Sequence, residues 1–165
     1  MSIDSIITDI IKREVGDEPN GGFTDNPADA GGRTQYGIAE RSHPAAWADD
    51  KVTEEEARAI YYNKYVKGPG FDAIPDAHLM AQLVDFGVNS GPVTAIQKLQ
   101  TVLKVDADGI LGPETLHALS LRDSTQVSNL LVGERVRMIG RIIHKRRSQA
   151  EFINGWLARA TEWLR

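Results

Sequence analysis

No cysteine occurs anywhere in the 165 residues, so no disulfide can cross-link the chain and no thiol can act as nucleophile or metal ligand. The fold must stand on packing alone, and synthesis in a reducing compartment is expected. Histidine is scarce as well. His43 has no second histidine or carboxylate at ligand spacing, which argues for a structural or exposed side chain over a metal ligand, and no cofactor is expected. No apolar run approaches the ~18 residues of a membrane span, and Met1-Ser2-Ile3-Asp4 lacks the basic and apolar segments of a signal peptide. Cytoplasmic synthesis is the expectation.

What is present is ordinary globular material. At 41% hydrophobic and 25% charged, the chain is long enough for one domain with a real core and too short for two full ones. The net charge of -4 is unevenly placed: residues 1–132 carry 11 basic and 20 acidic side chains, residues 133–165 carry 8 and 3. A basic C-terminal helix on an acidic body could meet an anionic envelope surface, such as teichoic or lipopolysaccharide phosphates. Lys145-Arg146-Arg147 is equally read as a solvated helix end favoured by the helix dipole. A nucleic-acid partner is not expected, and a monomer is.

Chemistry concentrates between Glu14 and Ile38, which holds Glu14, Asp17, Glu18, Asp25 and Asp29 among six glycines. Ile3, Ile6, Ile7, Ile10 and Ile11 precede it at the spacing of an amphipathic helix, with Ser2 as N-cap. Glu14 lies on that stripe, so the helix aims a carboxylate toward its apolar side. Gly16, Pro19, Asn20, Gly21 and Gly22 stop the helix. Residues 22–25 and 32–38 are predicted to pair as a hairpin, with residues 26–31 as its bend. Two carboxyls in unlike surroundings divide acid–base work: one in an apolar setting stays protonated, one in a polar turn stays ionised. Glu14 takes the first place and Asp29 the second, and the Thr34 hydroxyl can position a water. Spacing alone leaves it equally open that Asp25 and Asp29 are Asx-turn residues and Glu14 a solvated helix end.

Further on, Thr53 is the expected N-cap of a helix over residues 53–66, with Glu56 completing a capping box. Its Tyr61, Tyr62 and Tyr65 read as core or as a sugar-stacking face. His43-Pro44 breaks any helix begun at Ile38. Ala77–Val88 is apolar on most sides and is predicted to be a buried central helix whose single charge, Asp85, needs a partner. Asp106-Ala107-Asp108-Gly109 fails the EF-hand template and reads as a tight turn. In the helix of residues 127–144, Arg135 falls inside the apolar arc and wants an anion, for which a site carboxylate paired with Arg135 or Arg13 is one answer.

Residues Arg13-Glu14, Gly21-Gly22-Phe23, Asp25-Asn26-Pro27-Ala28-Asp29, Gly31-Gly32, Thr34 and Tyr36-Gly37-Ile38 resemble the R-E-G-G-Y-x-x-x-P-x-D-x-G-G-x-T-x-x-G-I signature of glycoside hydrolase family 108 muramidases, found among phage endolysins and related bacterial proteins. Asp85–Pro92, Ala95–Gln100, Asp108–Leu116 and Phe152–Arg159 resemble, in order, the rest of that family's pattern, including its F-x-x-G-W-x-x-R closing helix, where Trp156 is expected to be core. The resemblance implies an α+β, predominantly α, lysozyme-like fold with a small β-hairpin beside the active site. It implies one domain over residues 1–165, with a catalytic half (1–85) and a helical half (86–165) resembling a peptidoglycan-binding region.

It further implies a peptidoglycan hydrolase cleaving the β-1,4 bond between N-acetylmuramic acid and N-acetylglucosamine, released to the wall by a holin. Glu14 would be the acid, Asp29 and Thr34 its catalytic partners, and Asp25, Gln35 and Tyr36 substrate contacts. The chain departs from the signature by inserting residues 15–20 between the glutamate and the Gly-Gly pair, which makes Glu18 a rival acid. Glu14 is preferred because it follows Arg13 on the helical stripe, whereas Glu18 precedes Pro19 in a loop. A non-catalytic wall-binding or secretion-accessory protein and a lytic transglycosylase are the alternatives. A carboxyl separation of ~5–5.5 Å would indicate retention and ~6.5–9.5 Å inversion.

Overall fold

The computed structural model describes residues 3–16, 18–25 and 32–165. Ser2, the expected N-cap, Asp29 and the predicted bend at 26–31 lie outside them. The chain forms two compact units, residues 1–68 and 69–165. Among the described residues, no helix is long and apolar enough to cross a membrane.

The first unit is built on α1 (Ile3–Val15), whose Ile6, Ile7, Ile10 and Ile11 are all buried. Each such side chain contributes roughly 1.5–3 kcal/mol by leaving water. Its partner is α2 (Glu54–Tyr62), which buries Ala57 and Tyr61. The expected capping box is present: the Thr53 hydroxyl accepts from the Glu56 N–H at 3.2 Å, and the Glu56 carboxylate accepts from the Thr53 N–H at 2.8 Å. Arg58 ties the two helices together through Asp4 at 2.7 Å. A π-helical turn over Asn63–Lys67 ends the unit's helical part.

Between the helices lies a two-stranded sheet, β1 (Thr34–Gln35) and β2 (Ile38–Ala39), antiparallel with Gln35 opposite Ile38. This differs from the predicted hairpin. Residues 22–25 reach the sheet through the Thr24–Thr34 bridge, whose two N–H···O bonds are both 2.9 Å. The tight turn instead falls at Tyr36-Gly37, both at positive φ (50° and 74°), as a two-residue hairpin turn of type I′ requires.

The second unit is helical: α3 (Ala77–Ser90), α4 (Pro92–Leu103), α5 (Pro113–Ser120), α6 (Ser124–Lys145) and α7 (Ile153–Thr161). The expected central helix is α3, whose residues Leu79 to Gly87 are buried without interruption and which packs on α4 and α6. Asp76 caps it, accepting from the Leu79 N–H at 2.8 Å. The Asp108-Gly109 turn is a turn, as expected. Asp108 Oδ1 accepts from the Ile110 N–H at 2.8 Å, and the buried Gln100 amide donates to Asp108 and Thr115 while accepting from the Gly109 N–H. The L-Q … D-G … T-L spacing is thereby a packing device.

Asp85 and Arg135 answer each other. Arg135 Nη1 donates to Asp85 Oδ2 at 2.8 Å, Arg159 Nε donates to Oδ1 at 2.9 Å, and the Trp163 indole N–H reaches Oδ2 at 3.3 Å. The anion for Arg135 is therefore the α3 aspartate. Trp156, expected in the core, is only half-buried and stacks on the exposed Phe152 with ring centroids 5.8 Å apart.

Candidate active site

Glu14 stands in the last turn of α1, which closes as the Gly16 N–H bonds the Lys12 carbonyl at 2.8 Å. Its side chain is exposed, which corrects the apolar setting expected from the stripe. Ile10 and Ile11 remain covered, but at the helix end the partner surface runs out and only the stem of Glu14 is held. What holds it is the hairpin turn. A β-carbon on Gly37 would stand 3.4 Å from Glu14 Cβ, 3.7 Å from its Cγ and 2.5 Å from the Tyr61 hydroxyl. Only glycine leaves that space free.

Tyr61 completes the support from α2. Its hydroxyl donates to the Tyr36 carbonyl at 3.2 Å, bonding the turn from beneath. Burial first, then the neighbouring Glu14 and Tyr65, push the phenol well above its ordinary range. It therefore stays a neutral donor throughout the physiological pH range. Tyr65 stacks on Tyr61 at 5.9 Å, with the Lys64 ammonium 5.3 Å from the Tyr65 ring centroid.

Tyr36 is held against its conformational preference by two further contacts. Its N–H bonds the Gly21 carbonyl at 2.7 Å, and its ring lies on Gly21, where a β-carbon would meet three ring atoms at 2.5–2.6 Å. The Gly-Gly pair and the Tyr-Gly pair of the signature are therefore one contact seen from two sides.

The other candidates divide. The Gln35 amide is occupied on both faces, donating to the Asn20 carbonyl at 3.0 Å and accepting from the Val52 N–H at 2.8 Å, so it braces the loop instead of facing a substrate. Thr34 is half-buried in β1. Asp25 and Glu18 are both exposed. Asp29 lies outside the described residues.

Around β1 and β2 lies a polar lattice that sequence reasoning did not single out. Arg33 grips Glu40 through Nε and Nη2 at 2.9 and 2.8 Å, reaches Asp50 at 3.0 Å, and lies 4.9 Å from the centre of the buried Trp47 ring. The guanidinium holds the Glu40 carboxyl below its ordinary range. Phe23, 47% exposed and 6.3 Å from Trp47, presents a free aromatic face beside it. Gly37 and Tyr61 were missed as site residues for a specific reason. Their contribution is a shape around Glu14, and only the Tyr-Gly dipeptide hinted at it.

A helix-end carboxylate steadied over a tight hairpin turn, in a chain otherwise helical, is the layout of a lysozyme-like glycosidase. Comparison with known families agrees. Residues 10–91 match the glycosyl hydrolase 108 model and residues 92–161 that of a predicted peptidoglycan domain. The chain belongs to glycosyl hydrolase family 108 and carries the peptidoglycan domain after it. No curated protein matches. Among solved structures, SagA of Brucella abortus is similar at 28% identity with a TM-score of 0.74, over 98% of this chain and 90% of that one. The fold is α+β, predominantly α, of lysozyme-like type, and the protein is a glycoside hydrolase directed to peptidoglycan.

The first family boundary, at 91, lies beyond the break between compact units at 68. The helix α3 carries first-family sequence yet packs with α4 and α6.

Proposed function

We propose that the chain is an N-acetylmuramidase that hydrolyses the β-1,4 bond between N-acetylmuramic acid and N-acetylglucosamine, acting as a lytic endolysin. Glu14 donates the proton to the leaving oxygen, Asp29 serves as base or electrostatic stabiliser, and Thr34 holds the water if the configuration inverts. The observation that carries this reading is the hairpin turn at Gly37, bonded by Tyr61, lying against the stem of Glu14. With its carboxylate facing solvent, Glu14 receives its apolar cover from the sugar itself, which excludes water as it binds.

The preference for Glu14 over Glu18 rests on the same contrast. Glu18 precedes Pro19 in extended conformation and makes no capping bond. We further propose a monomer, a single lysozyme-like working domain over residues 1–165, and cytoplasmic synthesis followed by holin-type release. The exposed Arg141, Lys145, Arg146 and Arg147 are the groups that would meet an anionic envelope surface.

Turbidity loss of purified cell walls tests the assignment. Wild type and Glu18→Gln should both clear the suspension, and Glu14→Gln should not. A lytic Glu14→Gln variant beside a dead Glu18→Gln would move the acid to Glu18. A wild type that binds walls without clearing them would favour a non-catalytic accessory role.

A further inference from the structure

Asn20, Gly21 and Gly22 stand one after another at positive φ, 56°, 65° and 63°. Such a run is costly for any residue with a side chain, and two of the three are glycine. It seats the chain against the end of α1: a β-carbon on Gly22 would lie 3.3 Å from Val15 Cβ. The Gly21 carbonyl meanwhile takes the Tyr36 N–H at 2.7 Å. Phe23 comes next, and Thr24 then locks onto Thr34 through two bonds of 2.9 Å. The backbone of Phe23 is thereby pinned on both sides. It continues the row of contacts that runs from Glu14 through Gly37 and Tyr36 to Gly21.

Among the described residues of the first unit, Phe23 is the one large hydrophobic side chain that is exposed. A lone exposed apolar residue is ordinary on a protein surface. Phe23 differs in how firmly its ring is backed. It leans on Trp47 with centroids 6.3 Å apart and planes at 44°. Trp47 is itself buried, with its indole N–H on the Ile38 carbonyl at 3.2 Å and the Arg33 guanidinium 4.9 Å from its ring centre. An aromatic face held this way loses little freedom when something settles on it. Its neighbours Thr24 and Asp25 are exposed and polar, so the apolar surface is the size of one ring, far below the roughly 800 Å² that a stable protein partner covers.

We propose that Phe23 is a stacking platform for one pyranose ring of the wall glycan, in a subsite neighbouring the one where Glu14 acts. A β-1,4-linked pyranose carries its substituents around the rim and turns axial C–H bonds out from both faces. Those weakly positive hydrogens meet the negative face of an aromatic ring. The inference rests on the reading that the chain hydrolyses peptidoglycan, and it names the side chain that holds the strand while the acid works. Phe23 touches sugar but no reacting atom.

The test is proton NMR of the full-length protein titrated with the β-1,4-linked tetramer of N-acetylglucosamine. Ring C–H protons of the sugar should move upfield under the aromatic ring current, and the Trp47 indole N–H should shift saturably. Phe23→Leu keeps an apolar side chain but no ring. It should abolish the upfield shift and weaken binding about fivefold to tenfold, while Phe23→Tyr behaves as wild type. In wall clearing, Phe23→Leu should raise the half-saturating wall concentration with little change in the maximal rate.

No upfield shift with wild type, or a Phe23→Leu variant that binds the tetramer as wild type does, would overturn the proposal. The first of these is read on the unaltered protein, so it decides the matter even if Phe23→Leu fails to fold. Wall clearing that is insensitive to Phe23→Leu removes the platform alone. A tetramer that stacks on Phe23 in a protein that never clears walls removes the hydrolase reading alone.

Discussion

Alanine at Gly37 should cost far more than alanine at Gly16, although both glycines lie at positive φ, 74° and 62°. For an L-residue that backbone conformation costs about 1–2 kcal/mol at either site. At Gly16 a β-carbon meets nothing within 4 Å, so the strain is the whole effect. At Gly37 it would stand 2.5 Å from the Tyr61 hydroxyl, which must leave the Tyr36 carbonyl. Losing that bond and stranding a buried hydroxyl adds about 1–3 kcal/mol. For a chain of this size each kcal/mol moves Tm by roughly 2–4 °C. Gly16→Ala should therefore lower Tm by a few degrees and Gly37→Ala by roughly 10 °C, read by thermal circular dichroism.

Activity should separate further. Where the turn shifts to clear the Tyr61 hydroxyl, Glu14 loses the surface its stem rests on; a misplacement of about 1 Å costs on the order of a hundredfold in rate, so wall clearing by Gly37→Ala should nearly vanish at a temperature where it remains folded. Equal Tm losses at the two glycines, or full lysis by Gly37→Ala, would refute the claim that this turn positions Glu14.

Asp85→Asn should leave two guanidinium groups without their carboxylate and cost about 3–5 kcal/mol, seen as a lower urea midpoint; an unchanged midpoint would contradict the network. Thr53→Ala removes the capping box and should cost about 1 kcal/mol in the same assay, with lysis intact. The pH dependence follows from His43, whose folded pKa is lowered from 6.5 chiefly by burial and then by Lys64. The unfolded chain therefore binds this proton first, so stability should fall as pH drops below about 6.5 and level off below the folded value. His43→Gln should flatten that limb of a Tm-against-pH series, and a variant retaining the limb would assign it elsewhere.

Much of the helical framework could be read directly because its signals are local. The isoleucine spacing of α1, the Thr53–Glu56 box and the apolar run of α3 each lie within a few residues of the structure they dictate. The site was less legible. Helical periodicity gives the direction in which Glu14 points but not where the opposing surface ends, so an apolar setting and a solvated helix end were both open. The turn at Tyr36-Gly37 was missed because a tyrosine at positive φ runs against its own preference. It is held there by Gly21 and Tyr61, 15 and 25 residues away. The partners of Asp85 lie 50, 74 and 78 residues downstream, beyond the reach of any periodicity.

The most direct measurement is the mass of the reducing-end fragment released from purified peptidoglycan. A muramidase using Glu14 to protonate the leaving oxygen and water to complete the reaction yields a free reducing N-acetylmuramic acid end, heavier by one water than the anhydro product. That mass, present with wild type and absent with Glu14→Gln, is the predicted result. An anhydro-muramic end would make the enzyme a lytic transglycosylase, and a reducing N-acetylglucosamine end would place the cut at the other glycosidic bond.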